Sequence, residues 1–286
     1  MTRAAHPADL SVLREIAEAC DLRLSAAQLE QFAQYGTLLL SWRERINLTG
    51  ITDWQGLQRT LFGDALALVP LILHYCQIQR SGGCSSLQDA AHATGGSSTA
   101  SIPGCQLLDV GTGAGIPGIP LKLALPDLNL TLLEATGKKV AFLQHVLQAL
   151  GLTHVLVIQG RAEEIAHNPG YRGHFDLVTA RGLAPLPTLL ELCLPFLHVG
   201  GYGIFPKGPR VDDEIHAAHY ALHILGGTIV DVRTPPHPAL ATTRIVVVRL
   251  DRPVPLNYPR RAGIPQKRPI LSHDTAAREE RKAGES

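Results

Sequence analysis

Leu107-Leu108-Asp109-Val110-Gly111-Thr112-Gly113-Ala114-Gly115 decides the fold: a short apolar run ends in an acid and then delivers glycine at alternate positions. An apolar run entering a glycine turn reads as a buried strand feeding a helix, and glycine there lets backbone approach a ligand with no side chain between. Working outward, Gln106–Val110 reads as the strand and Gly118–Leu125 as the start of the helix. Strand and helix then alternate. Strands are expected at Leu130–Leu133, Val155–Ile158, Phe175–Ala180 and Gly201–Phe205, and helices at Lys138–Leu150 and around Leu186–Leu194. Continuous apolar strands separated by helices imply a mostly parallel sheet covered on both faces, an α/β Rossmann-like architecture. Gly227–Arg233 and Arg244–Leu250 lie close enough together to form an antiparallel edge pair.

The glycines alone do not separate two cofactor classes, because Gly113 to Gly118 also satisfies the G-x-G-x-x-G pattern of nicotinamide enzymes. Two acids sharpen the reading. Glu134 ends the second strand, 25 residues after Asp109, where a carboxylate can accept both ribose hydroxyls of an adenosine. Asp109 precedes the first glycine, where it would repel a pyrophosphate but attract the ammonium of S-adenosylmethionine. The sign of that charge favours the sulfonium cofactor over a dinucleotide. The G-K-[ST] of a phosphate-binding P-loop does not follow the glycines.

Before this domain, residues 1–80 read as an N-terminal helical unit, with a capping box at Ser25 and Gln28 and apolar Leu29, Phe32, Leu39 and Leu40 at helical spacing. Residues 81–104 are rich in Gly, Ser and Thr and read as a flexible insert. The cofactor domain is expected over 105–252, followed by a basic, proline-containing extension over 253–286. The chain has 286 residues, 45% hydrophobic, with a net charge of +1, so any polyanion must be met by a local patch. Its longest apolar run, Ala65–Leu73, is interrupted by Pro70, and no membrane span, signal segment or export is expected. A cytoplasmic location follows as the expectation. The five cysteines, without a C-x-x-C pair, are read as reduced thiols, and no metal is expected.

Asp109 to Leu121, D-V-G-T-G-A-G-I-P-G-I-P-L, resembles the signature of the bacterial RsmG (GidB) family, which methylates guanine N7 in small-subunit ribosomal RNA. The similarity continues through Leu132–Leu143, Gly160–Glu164, Phe175–Arg181 and Phe205–Gly208, and Trp42–Thr49 is similar to the family's W-x-x-x-x-N-L-T. The resemblance implies a class I methyltransferase whose cofactor, S-adenosylmethionine, is held by Gly111, Gly113, Gly115 and Ile116. Glu134, Ala135 and Thr136 would hold its adenosine, and Ala162 and Glu163 its adenine. It implies that Arg181 stands where cofactor and substrate meet, with Lys207 beside it in the catalytic pair, and that Arg161 and Lys207 engage RNA. Tyr258–Pro269 resembles the family's C-terminal extension. Its Arg260, Arg261, Lys267 and Arg268, kept extended by prolines, are expected to trace a phosphate backbone. The implied substrate is the 530 loop of 16S rRNA in the small ribosomal subunit or an assembly intermediate, and the implied protein is a monomer; the alternatives are a methyltransferase of the same fold acting on another RNA and, less favoured, an NAD-dependent oxidoreductase. Leu61-Phe62-Gly63-Asp64-Ala65-Leu66 departs from the family's H-x-x-D-S-L by carrying leucine in place of histidine.

Overall fold

The computed structural model describes residues 9–43, 45–80, 102 and 104–272. Among the described residues five helices come first: α1 (Ser11–Ala19), α2 (Ala26–Trp42), α3 (Trp54–Gly56), α4 (Gly63–Leu66) and α5 (Val69–Arg80), with a π-helical stretch at Leu57–Phe62. The helical run Trp54–Gln79 is long and apolar enough to cross a bilayer, yet 78% of its most apolar window is buried inside the protein. It is a core helix. The remaining elements are β1 (Gln106–Val110), α6 (Gly118–Ala124), β2 (Asn129–Glu134), α7 (Gly137–Ala149), β3 (Val155–Gln159), α8 (Ala162–Ile165), β4 (Phe175–Thr179), α9 (Leu186–Cys193), β5 (Leu197–Lys207), α10 (Val211–Leu225), β6 (Gly227–Arg233), β7 (Arg244–Leu250) and α11 (Ile264–Lys267).

The strands form one seven-stranded sheet in the order β3-β2-β1-β4-β5-β7-β6. All neighbours from β3 to β5 are parallel, and β7 runs antiparallel between β5 and β6. The expected antiparallel pairing of the last two strands is present, with β7 inside and β6 at the edge. Central strands are buried on both faces, whereas β3 and β6 alternate and leave Leu156, Val230 and Val232 exposed, as sheet edges do. Strand order reverses between β1 and β4, and that reversal opens a crevice at the carboxyl ends of the strands.

One face of the sheet shares a single apolar core with the N-terminal helices, in which Leu13, Phe32, Phe62, Leu107, Leu132 and Phe142 are all buried. The other face packs on α9 and α10 through Leu189, Phe196, Leu222 and Val246. Ser25 makes the expected capping box with Gln28. The same helix then supplies caps to others: Gln28 Nε2 donates to the carbonyls of Leu123 and Ala124, Gln31 to Leu150 and Gln34 to Ala149. These are last-turn carbonyls of α6 and α7, which lack partners within their own helices. Helix α2 therefore fixes the two helices that flank the glycine turn.

Two expectations are corrected. Cys76 at the end of α5 and Cys105 at the entry to β1 form a disulfide, their Cα atoms 6.0 Å apart; Cys20 and Cys193 are free and buried. The pairing arises because the fold returns the chain to the same place 29 residues later, which spacing alone does not encode. The C-terminal extension, expected to be kept extended by prolines for an RNA backbone, packs on the domain: Pro259, Pro265 and Ile270 are buried, and Arg172 donates to the carbonyls of Val254, Pro255 and Tyr258. Helix α10, with three acids in its first turn and Gly226 left-handed at its end, is a further element between β5 and β6. The insert expected at 81–104 lies, apart from Ile102 and Gly104, outside the described residues, as does Cys84.

Candidate cofactor and RNA site

The turn after β1 is built from inside. Asp109 is fully buried, and its Oδ2 accepts from the Thr112 hydroxyl and the Gly118 backbone N–H, tying the end of β1 to the first residue of α6. Burial pushes its carboxyl pKa up to about 7, against the two hydrogen bonds that lower it, and the nearby Glu134 charge adds to the rise. This corrects the expected contact with the methionine ammonium: a carboxylate without exposed surface supports the loop from beneath. Among the described residues its Oδ1 has no partner. Tyr35 reaches from α2 to donate to the Ala114 carbonyl at 2.7 Å, so the N-terminal helices hold the far side of the turn.

The upper surface of the turn is open. Gly113 has φ +61°, and a Cβ there would meet nothing closer than a backbone oxygen at 4.0 Å, so its missing side chain leaves space above the loop. At Gly111, φ +67°, a Cβ would strike Leu183 at 2.6 Å, which keeps the loop after β4 close. Glu134 Oε2 accepts from Gly113 N–H at 2.9 Å and its Oε1 from Thr136 N–H at 2.8 Å. The acid thereby joins the glycine turn to Ala135 and Thr136, both exposed at the start of α7. Ile116 is buried below. An open glycine cradle with an acid at its rim fits an adenosine-bearing cofactor.

On the other side of the crevice, cations are held by acids from other elements. Arg181, just beyond β4, donates through Nε and Nη2 to Asp64 Oδ2 at 3.1 and 2.9 Å, and through Nη2 to the Thr60 carbonyl. Asp64 is itself fixed by the Thr243 hydroxyl, 2.8 Å from its Oδ1. Sequence reasoning quoted Asp64 but gave it no part in the site; the available signal was its place in the Leu61–Leu66 segment. Leu61, at the position of the family's histidine, is buried in the N-terminal core. Lys207, at the end of β5, pairs with Glu214 at 2.7 Å and donates to the Ala184 carbonyl, with 11% of its side chain exposed. The ammonium of Lys207, expected on RNA, is thus already held within the fold.

The tail residues divide in the same way. Arg260 turns inward, donating through Nε and Nη2 to the two oxygens of Glu191, which is wholly buried. The guanidinium expected on an RNA backbone is thus already paired within the fold. Arg261, Lys267 and Arg268 are exposed, as is Arg161 ahead of α8. Glu163 Oε1 accepts from Gly263 N–H, so it anchors the tail, and with Arg260, Arg261 and Ala262 it lines a cleft of about 450 Å³. Ala162 lies half-buried beside it.

A sheet of this order, with a glycine turn after β1 and an acid closing β2, defines a class I S-adenosylmethionine-dependent methyltransferase. The family model described as "GidB: rRNA small subunit methyltransferase G" matches residues 87–236. A ribosomal RNA small subunit methyltransferase G of Roseiflexus castenholzii is 39% identical over 259 residues, covering 91% of this chain and 99% of the relative. Another from Alkaliphilus oremlandii is 35% identical over 260 residues, covering 91% and 98%. The chain belongs to the GidB family of small-subunit rRNA methyltransferases.

Proposed function

We propose that the protein methylates N7 of a guanine in the 530 loop of 16S rRNA, presented in the small ribosomal subunit or an assembly intermediate, and that it works as a cytoplasmic monomer. The observation that carries this reading is the match to the family along 91% of the chain, together with the open glycine cradle set beside Arg181. Guanine N7 offers a lone pair and carries no proton, so the reaction needs alignment and not a general base. The cofactor, when bound, supplies the methyl group on a positively charged sulfur.

The chain's own residues then have binding and orienting roles. Gly111, Gly113 and Gly115 present backbone, Ile116 closes the floor, Glu134, Ala135 and Thr136 take the adenosine, and Ala162 and Glu163 border the adenine. Arg181, fixed in direction by Asp64, holds a phosphate next to the target; a cation against the base itself would oppose the positive charge developing on the ring. Arg161, Arg261, Lys267 and Arg268 add contacts to the RNA backbone. Correct alignment of two reactants contributes up to about 7–11 kcal/mol in well-oriented cases. The target base must be unstacked or lie in an already open loop to reach the crevice.

The test is transfer of labelled methyl from S-adenosylmethionine to small subunits lacking this modification, with the labelled base then identified. Label on guanine N7 in the 530 loop is the expected result. Cofactor binding without such label would discard the substrate and keep the fold.

A further inference from the structure

A cleft of about 360 Å³ lies between the segment that follows α2 and the first turn of α7, lined by Arg43, Arg45, Ile46, Asn47, Thr136, Lys138 and Lys139. Four of these seven residues are cationic and none is acidic; Glu44 is outside the described residues. None of the four cations has an ion-pair partner among the described residues, in contrast to Arg181, Lys207 and Arg260. Arg45 is laid over the Trp42 ring, its guanidinium carbon 5.9 Å from the ring centre, and Trp42 in turn packs on Phe142 and His145. The wall is therefore preformed, with the cation aimed by stacking.

Lys138 and Lys139 are placed where the fold itself would not put them. They occupy the first turn of α7, which carries no acid, at the end of the helix where the backbone dipole is already positive. Two lysines there weaken the helix and repel each other and the facing arginines. Such an arrangement is compensated when an anion with several charges sits among them. The cleft also reaches Thr136, so it is continuous with the strip that Glu134 ties to the glycine turn.

We infer that this cleft binds the phosphate backbone of the RNA substrate, and that Arg43, Arg45, Lys138 and Lys139 form a docking site apart from Arg181 and the tail. The inference rests on the proposed RNA substrate. A backbone suits the site better than a single free anion because the four cations come from two segments, and successive phosphates can follow them across the cleft.

The experiment compares wild type with Lys138→Gln/Lys139→Gln, two changes that remove repulsion from a helix start and so preserve folding. Binding to small subunits lacking the modification is measured across a range of KCl, with S-adenosylhomocysteine affinity and the melting temperature recorded alongside. The expected result is about tenfold weaker subunit binding at low salt and a salt slope flattened by about 1.5, the size of two lost phosphate contacts, with S-adenosylhomocysteine affinity unchanged. Inorganic phosphate at matched ionic strength should not displace the subunit. Unchanged affinity and slope would overturn the docking site, as would equal loss of S-adenosylhomocysteine binding or displacement by phosphate at low concentration. A wild-type protein that binds no subunit would overturn the substrate reading itself, which keeps the two failures distinct.

Discussion

The two halves of the crevice are made in opposite ways. On the β1–β2 side the ligand surface is backbone, shaped by left-handed glycines and pinned by Asp109, Glu134 and Tyr35. On the β4–β5 side it is side chain, and each cation is aimed by an acid from another element: Arg181 by Asp64, 117 residues back, and Lys207 by Glu214 from the first turn of α10. The turn of the first half is a local structure that nine consecutive residues can specify, with Glu134 and Tyr35 added to it from outside. The second exists only after the N-terminal helices, the crossing loops and β7 have come together. A cofactor common to many enzymes sits well on the first kind of surface, and a particular substrate on the second, where small changes in remote segments can re-aim a charge.

Replacing Gly113 with valine strikes hardest at the backbone half. The residue sits at φ +61°, which a β-branched side chain avoids, and the new methyls would occupy the space above the turn. Strain of about 1–3 kcal/mol adds to steric exclusion of the ligand. S-adenosylhomocysteine affinity should fall by at least roughly 100-fold, or ~2.7 kcal/mol, with the fold retained by circular dichroism. Calorimetric titration that returned near-wild-type affinity would break the comparison, because the cradle would then not be where the cofactor lies.

Substituting Asp64 with asparagine tests the other half. Arg181 would lose a charged acceptor, and hydrogen bonds to charged groups are worth about 1.5–3 kcal/mol, so kcat/KM toward undermodified small subunits should fall about 10–100-fold. S-adenosylhomocysteine affinity should change much less. If both fell together, the arginine would belong to the cofactor half and the division drawn above would blur.

Legibility in the sequence follows the same line. The glycine turn and the strand positions could be read because each depends on neighbours in the chain, through φ preference and apolar runs. The role of Asp64 could not, nor the inward turn of Arg260 onto Glu191, 69 residues away. A basic residue in a polar tail looks the same whether it meets a buried carboxylate or solvent, and of the adjacent pair Arg260 is bound to a buried acid while Arg261 is exposed. The Cys76–Cys105 pair was hidden for the same reason. Asp109 is the instructive intermediate: its position was read correctly as special, but its direction was not, since an acid before a glycine turn serves equally to greet a ligand or to tie the turn down.

The direction of Asp109 has a consequence in pH, the smallest of these effects because it is spread over several units. Its folded pKa is raised from 3.8 to about 7, chiefly by burial. Between those values the folded state holds a proton that the unfolded state has released, so this group's stabilisation is complete below pH 3.8 and is lost as pH rises through about 7. Asp109→Asn should remove that dependence. The amide oxygen can keep the hydrogen bonds from Thr112 and Gly118, and the amide nitrogen takes the place of the unpartnered Oδ1. Urea denaturation across pH 4.5 to 7.5 should therefore give a flatter stability profile for the variant, with the gap between the two proteins shifting in the variant's favour as pH rises. Parallel profiles would mean that Asp109 is ionised throughout, with its charge compensated in the fold, and the carboxylate would return to the list of groups able to face a cationic cofactor.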